Sequence, residues 1–248
     1  MIYQDKNEEV NKPILEKFAV RAFPTFVITD GAGTELSRSV GAPFSTVEDA
    51  RKWFPKTADA LANLSTYEAA HKEKPEDLDA GLKLAEVYGA LGRNTDAIAL
   101  YEKFGAKLEK TDKRFVDMKL GHADALMGTM DRKNQMEVLG KMRKIYDEVL
   151  PDLVKAKDER AVEPGILNGR IKDALKEHAE GRKDLKALIE AFPKSDRLKE
   201  MKFWSALVAT NGDEKEAGIA ELEALVKEGP EDDQWVKSAS STLTRLKK

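Results

Sequence analysis

Histidines are the residues of this sequence best suited to proton transfer or metal binding, because it contains no cysteine. The three histidines, His71, His122 and His178, are widely separated along the chain. None is followed three or four residues later by a second ligand that would complete a recognisable metal site on a helix. We therefore predict packing or surface roles for all three, and no metal site, catalytic residue or cofactor.

Gly31 and Gly33 are the next candidates, since glycine-rich loops can bind the phosphates of a nucleotide. That motif needs a third glycine and a following helix, and the sequence has neither at this point. The two glycines instead separate the β-branched run "TFVITD" from "ELSRSVG", in which Leu36 and Val40 alternate with Arg38. This pattern predicts a β-hairpin with a tight turn.

Two helical patterns flank the predicted hairpin. Before it, apolar residues in "NEEVNKPILEKFAV" recur at helical spacing, and the opening "MIYQ" is typical of the end of a strand. After it, "STVEDARKWF" begins a helix in which Ser45 or Thr46 is the N-cap and Glu48 and Asp49 favour the positive end. Because proline interrupts helices, we expect Pro55 to end this one.

The segment Phe23-Pro24-Thr25 carries the most specific motif. A "PT" pair after a helix, followed by a strand, a hairpin that ends in glycine and another helix, resembles the C-terminal half of the thioredoxin-like fold. The resemblance covers residues 1–56 and implies a cis peptide bond before Pro24. In that family the cis-proline loop lies beside bound polypeptide, so Phe23, Pro24 and Thr25 would contact a peptide. The alternative for Phe23 is packing in the core.

The other half of a thioredoxin-like domain, with its Cys-x-x-Cys pair, has no counterpart in this sequence. The resemblance therefore implies a partial, redox-inactive module. A two-stranded hairpin with an apolar face needs a cover, which an upstream segment, the following helices or a partner would supply. We expect an upstream segment that precedes Met1. A longer protein of that kind would be a thiol–disulfide oxidoreductase, which is the alternative function.

Helical patterns separated by short polar breaks occupy the chain from residue 57 onward. Breaks such as "KPED", "FPKSD" and "GPEDD" recur at a spacing that fits a helix-pair unit of about 34 residues. The stretch "EDLDAGLKLAEVYGALGRNTDAIALYEKFGAKL" resembles the tetratricopeptide repeat, and it departs from that family at Gly81, where a large aromatic residue is preferred, and at Phe104, where alanine is. The expected repeat-packing residues are Leu84, Ala85, Tyr88, Gly92, Ala97 and Tyr101.

Two later stretches, 162–195 and 199–232, match this repeat more weakly, and "DQWVKSASSTLTRLKK" is typical of a capping helix. We therefore predict a predominantly α-helical protein with two domains. Residues 1–56 form an α+β partial thioredoxin-like domain, and residues 57–248 form a tetratricopeptide-like solenoid of about four helix pairs plus a cap. Four methionines in "ADALMGTM" and "QMEVLGKM" are interpreted as core residues, with a pliable binding groove as the alternative.

Composition limits the partners. The net charge of −3 provides no concentrated positive charge for nucleic acid or an anionic membrane. No apolar run approaches the roughly 18 residues that span a bilayer. We predict a non-catalytic scaffold that binds a protein or peptide on the concave surface of its repeats, as a homo-oligomer or as a subunit of a larger assembly. The compartment stays open, and export, for example to a periplasm, requires a signal peptide upstream of Met1.

Overall fold

The computed structural model describes residues 8–41 and 46–246. The chain divides into two compact units, Met1–Thr129 (unit 1) and Met130–Lys248 (unit 2). Helices make up most of both units, as the sequence predicted. The strand predicted at "MIYQ" lies outside the described residues.

Unit 1 contains a helix, a β-hairpin, a long helix and three shorter helices. Its described elements are α1 (Glu8–Lys17), β1 (Thr25–Thr29), β2 (Glu35–Val40), α2 (Val47–Glu73), α3 (Leu78–Ala90), α4 (Asn94–Gly105) and α5 (Phe115–Gly128).

Strands β1 and β2 pair antiparallel in one two-stranded sheet, with Thr25 opposite Val40. In the connecting turn, Asp30 Oδ1 accepts hydrogen bonds from the amides of Ala32 and Thr34 at 2.9 and 2.8 Å. A side-chain carboxylate that binds the backbone in this way is a common means of closing a turn. The predicted hairpin is confirmed.

The hairpin is fastened to the turn between α3 and α4. Ser37 Oγ donates a buried hydrogen bond of 2.6 Å to the carbonyl oxygen of Leu91. Gly92 follows with φ +73°, a conformation that side chains disfavour. A Cβ atom at Gly92 would also lie 2.7 Å from the carbonyl oxygen of Arg38. The helices after the hairpin therefore cover part of it.

Helix α2 continues to Glu73, so the expectation that Pro55 ends it was wrong. Pro55 is exposed and removes one backbone donor, and the carbonyl left without a partner can reach water. Beyond it, α2 packs Ala60 against Val87 and Leu91. This apolar contact offsets the cost of the proline. The domain boundary predicted after residue 56 falls inside this helix, and it stays a prediction.

The start of α2 has the predicted type of cap. The amide of Asp49 donates to Thr46 Oγ1, and the amide of Thr46 donates to Asp49 Oδ2, each at 3.1 Å. This reciprocal arrangement satisfies two backbone donors that the first turn of a helix otherwise leaves free. Thr46 is therefore the cap, and Ser45 lies outside the described residues.

Helices α3 and α4 approach closely where small residues meet. Ala85 and Ala97 are both fully buried. Gly81 of α3 faces the ring of Phe104 of α4, and a Cβ atom at residue 81 would lie 2.0 Å from Cε2 of that ring. The two departures from the repeat pattern therefore compensate each other, because α4 rather than α3 supplies the large side chain.

Unit 2 is helical throughout its described part. Its elements are α6 (Gln135–Lys155), a 3₁₀ turn (Glu159–Ala161), α7 (Val162–Ala174), α8 (His178–Ala191), α9 (Leu198–Asn211), α10 (Lys215–Glu228) and α11 (Gln234–Leu246). Helices α7 and α8 pack as a pair, as do α9 and α10, and α11 packs on the second pair. Gly165 of α7 faces Leu188 of α8, where a Cβ atom would lie 2.9 Å from the leucine Cδ2.

A buried lysine links three helices of unit 2. The side chain of Lys172 in α7 is only 8% exposed, and its Nζ lies 2.7 Å from Asp147 Oδ1 of α6 and 2.6 Å from Asp184 Oδ2 of α8. Burial lowers the pKa of Lys172, but hydrogen bonds to the two carboxylates outweigh it and raise the pKa overall. A charge held in this way is costly to leave unpaired.

The histidines have packing or polar contacts. His71 and His122 lie against the rings of Phe104 and Tyr101, with centroids 5.7 and 5.9 Å apart. Nδ1 of His178 lies 2.8 Å from a carboxylate oxygen in unit 2. Among residues 8–41 and 46–246, no three histidine, aspartate or glutamate residues are grouped so that they could hold a metal ion.

The interpretation of the methionines as core residues was wrong for three of the four. Met127, Met130 and Met136 are exposed, and only Met142 is buried. They lie in the last turn of α5, in the following connection and in the first turn of α6, where fewer neighbouring turns are available to cover a side chain.

Candidate interaction surface

A cleft of about 250 Å³ lies between α3 and α5 in unit 1. Four of its residues come from α3 at spacings of three and four, which places them on one face of that helix. The lining residues are Asp79, Leu82, Lys83, Glu86, Tyr101, Lys113, Arg114, Asp117 and Met118.

Apolar and neutral groups form the buried part of the cleft. Leu82, Met118 and Tyr101 are all buried. Burial raises the pKa of the Tyr101 hydroxyl, and the charges of Glu86 and Asp124 raise it further. The phenol is therefore neutral, and it can donate and accept hydrogen bonds but cannot act as a base near neutral pH.

Charged side chains surround this apolar part in pairs. Arg114 pairs with Asp79 and lies 2.5 Å from Asp112, and Lys83 lies 3.2 Å from Glu86. Hydrogen bonding to Arg114 lowers the pKa of Asp112 to about 2. Exposed ion pairs each contribute only about 0–1 kcal/mol, so the charged groups of a ligand can replace one partner at low cost.

The cleft is therefore suited to binding. Its polar groups are carboxylates, cationic side chains and a neutral phenol. Nucleophilic catalysis needs an activated nucleophile within hydrogen-bond reach of a base, and the lining residues do not contain such a pair.

The helix pair that carries most of this cleft can be compared with known families. Residues 79–107 match the tetratricopeptide repeat model. The matched stretch runs through α3 and α4, so the resemblance seen in the sequence is confirmed there.

Two solved structures are similar to this chain. The crystal structure of MamA is 14% identical, covers 74% of this chain and 95% of its own, and has a TM-score of 0.48. A thermophilic TPR protein from Thermus thermophilus is 17% identical, covers 78% of this chain and 98% of its own, and has a TM-score of 0.43. No curated protein sequence matches this chain.

None of the described helices is long and apolar enough to span a membrane.

The predicted packing residues of the tetratricopeptide repeat divide between core and surface. Tyr88 is half-buried, donates a 3.0 Å hydrogen bond from its hydroxyl to Glu68 Oε1, and carries the Arg93 guanidinium 3.8 Å above its ring. Gly92 is exposed in the turn. Tyr101 is the member of the set that also lines the cleft. The buried members are Leu84, Ala85, Ala97 and Tyr101.

Phe23, Pro24 and Thr25 lie at the start of the hairpin and do not line the cleft. The Phe23–Pro24 peptide bond is cis, as the resemblance implied. Phe23 is 48% exposed, so the alternative that it packs in the core does not hold. Thr25 Oγ1 donates a 2.6 Å hydrogen bond to the carbonyl oxygen of Ala22.

The charged residues of the cleft were not predicted from the sequence. Asp79, Lys83 and Glu86 were visible as polar residues on one face of α3, interrupted by Leu82. An apolar residue on an otherwise polar face of a helix indicates a binding surface, and helical periodicity makes such a residue recognisable in the sequence. Arg114 could not be found in this way, because it reaches Asp79 from the loop before α5.

Proposed function

We propose that this chain is a non-catalytic interaction protein whose tetratricopeptide repeat binds a segment of a partner protein in the cleft between α3 and α5. The observation that carries the proposal is the combination of a buried apolar part and exchangeable ion pairs in that cleft. The repeat match at residues 79–107 supports it, because stacked helix pairs present surfaces suited to peptides. Residues 57–248 would form one tetratricopeptide-like solenoid.

The partner segment should carry an apolar side chain flanked by charges of both signs. Leu82 and Met118 offer apolar contact, while the rim presents Asp79 and Arg114 as a pair. A partner that relies on negative charge alone, such as nucleic acid, would meet repulsion from the carboxylates, and the net charge of −3 gives it no compensation.

Selection of peptides on the full chain tests this function. A selected peptide should bind with an affinity that Lys83→Glu weakens by about fivefold or more, since each contact of this kind is worth about 1 kcal/mol. Glu102→Lys is the matched control, because Glu102 is exposed on α4 and does not line the cleft. Equal affinities of the two variants and the native chain, measured by fluorescence anisotropy, would place binding elsewhere and contradict the proposal.

The N-terminal part would act as a redox-inactive thioredoxin-like module. Two features support this: the order α1, β1, β2, α2, and the exposure of Phe23 at the segment that in thioredoxin-like proteins contacts polypeptide. Phe23 would then offer an apolar contact to an extended peptide.

Two measurements separate this role from the alternative of a thiol–disulfide oxidoreductase. Thiol–disulfide exchange needs a thiolate and this sequence contains no cysteine, so insulin reduction is measured on the full-length protein with any segment upstream of Met1, and it should not exceed the rate with the reductant alone. Phe23→Ala should weaken binding of an extended peptide, whereas Val47→Ala, a change at an exposed apolar residue of α2, should not. Turnover of insulin by the full-length protein above the background rate would favour the oxidoreductase.

A further inference from the structure

Strand β1 has one unpaired edge among the described residues, because the sheet there contains only β1 and β2. Unpaired edges usually carry a charged residue, a proline or a bulge that discourages association. β1 carries none of these: it reads Thr25, Phe26, Val27, Ile28, Thr29, and its register irregularity adds the extra residue to β2. β2 is charged, with Glu35 and Arg38, and Ser37 is already bonded to Leu91.

The hydrogen bonds of the hairpin show which groups face that edge. The amide of Gly41 donates to the carbonyl oxygen of Pro24 at 2.8 Å, so these opposite residues form a hydrogen-bonded pair. Such pairs alternate along an antiparallel ladder, and Phe26 and Ile28 are therefore bonded toward β2. The backbone groups of Thr25, Val27 and Thr29 are directed to the unpaired edge.

The sequence of β1 is symmetric about Val27 in its pattern of apolar residues and threonines. An antiparallel copy centred there places Val27 opposite Val27, Thr25 opposite Thr29, and Phe26 opposite Ile28. The centre falls on a residue whose N–H and C=O both face outward, which a hydrogen-bonded pair on a two-fold axis requires. Every cross-strand pair is uncharged, and aromatic and β-branched pairs stabilise sheets.

The flanking residues also fit a second copy. Phe23 and Gly31 lie just outside β1, four residues before and after Val27, so they would approach each other if the two copies stayed in contact past the strand ends. Phe23 is 48% exposed, and a Cβ atom at Gly31 would have no neighbour within 4 Å, so there is room at that position. The geometry points to self-association of this chain through antiparallel pairing of β1 with β1, which gives a four-stranded sheet with a two-fold axis at Val27. This inference is independent of peptide binding in the α3–α5 cleft, but it competes with the peptide contact proposed for Phe23, because the second copy would occupy that end of the hairpin.

Sedimentation of the full chain over a concentration series tests the pairing. The native chain should shift from the 27.6 kDa monomer toward twice that mass as concentration rises. Edge pairing of one short strand buries less than a standard interface, so the dimer is expected to be weak. Val27→Lys and Val27→Glu should each raise the dimer dissociation constant by about tenfold or more, because like charges would lie directly opposite each other. An equimolar mixture of the two variants should recover the dimer.

The controls decide between this edge and other surfaces. Val40→Lys, on β2 and 65% exposed, should leave the dimer unchanged. Far-UV circular dichroism checks that each variant folds, and Thr29→Lys, at an exposed residue of the same edge, replaces Val27→Lys if that variant does not. A monomer up to the solubility limit, a dimer that survives the edge charges, or a monomer whose Val27 amide is protected from hydrogen exchange would each overturn the proposal.

Discussion

Gly81 and Phe104 occupy one another's expected roles in the tetratricopeptide repeat. The ring of Phe104 fills the space that a side chain at residue 81 would take, and a Cβ atom there would lie 2.0 Å from the ring. Phe104 is fully buried as a result. The pair must therefore change together if the packing between α3 and α4 is to be preserved.

Gly81→Ala should destabilise unit 1 by about 1–3 kcal/mol because it overpacks the contact with Phe104. Phe104→Ala should cost about 3–5 kcal/mol by leaving a cavity. The double variant should cost less than the sum, since the alanine at 81 enters space that the ring vacated. Urea unfolding measures all three. Gly89→Ala, in the same helix with no neighbour within 4 Å, should be neutral or stabilising, and additive losses at 81 and 104 would contradict the coupling.

Gly92→Ala should destabilise the chain for two separate reasons, the φ of +73° and the contact with the Arg38 carbonyl oxygen. The conformational part is worth about 1–2 kcal/mol for a residue with a Cβ atom. Gly41→Ala isolates that part, because Gly41 has φ +89° and no neighbour within 4 Å. Chemical unfolding should therefore show a larger loss at 92 than at 41. Equal losses of unfolding free energy at the two positions would mean that the contact with the Arg38 carbonyl oxygen does not add to the effect at residue 92.

Ser37→Ala should loosen the hairpin without unfolding the helices. The change leaves the buried carbonyl oxygen of Leu91 without its donor, which costs about 1–3 kcal/mol. Hydrogen exchange should accelerate at the β2 amides and remain unchanged in α4. Ser39→Ala, in the same strand but without a bond to the helices, is the control, and similar acceleration in both variants would contradict this anchoring role.

Lys172→Met should destabilise unit 2 by about 1–3 kcal/mol, because it removes the cation shared by Asp147 and Asp184, whose side chains are 33% and 41% exposed and of which Asp147 keeps a 2.9 Å ion pair with Arg143. Adding Asp147→Asn and Asp184→Asn to that variant should restore part of the loss. Lys183→Met, at an exposed position of α8, should change the free energy of unfolding little. Thermal unfolding measures the series, and no recovery of stability on adding the two asparagine substitutions would contradict the pairing of Lys172 with these carboxylates.

The stability of unit 2 should fall as the pH drops below about 4, the usual pKa of an unfolded aspartate. Burial raises the pKa of Asp147, but hydrogen bonds from Lys172 and Asn168 outweigh it and lower the pKa in the folded state. A depressed folded pKa stabilises the protein above the unfolded value, and that stability is lost as pH falls through the folded pKa.

Urea unfolding at several pH values checks this dependence. Asp147→Asn should make it shallower, with a remainder from Asp158 and Asp233, whose folded pKa values are also lowered by hydrogen bonds. Asp152→Asn, at an exposed position of the same helix, should leave it unchanged. A native pH profile in the Asp147 variant would assign the dependence to other carboxylates.

Local signals explain what the sequence could predict. The hairpin followed from β-branched runs around a turn, and the repeat from small residues at Ala85 and Ala97, all within short stretches. The error at Pro55 arose because the local rule on proline ignores the burial of Ala60 beyond it. The thioredoxin-like interpretation of the N-terminal part stays a prediction, since the described strands there form only a hairpin.

Features that join separate helices could not be predicted from local patterns. The exchange between Gly81 and Phe104 looked like two unrelated departures until the helix pair was assembled. The α3–α5 cleft depends on the ion pair between Arg114 and Asp79. In the sequence these residues are separated by most of α3, all of α4 and the loop before α5. The exposure of Met127 and Met136 depends on where neighbouring helices end, which helical spacing does not state.

The glycine–large residue exchange has a consequence for how such repeats can be shuffled. In unit 1 it involves Gly81 and Phe104, and in unit 2 a glycine likewise faces a large side chain of the partner helix at Gly165 and Leu188. A helix with the family's usual large residue, grafted onto either existing partner helix, would meet a site already filled. Recombination in this chain is therefore restricted to whole helix pairs, and a protein engineer who extends it should treat the pair as the smallest exchangeable module.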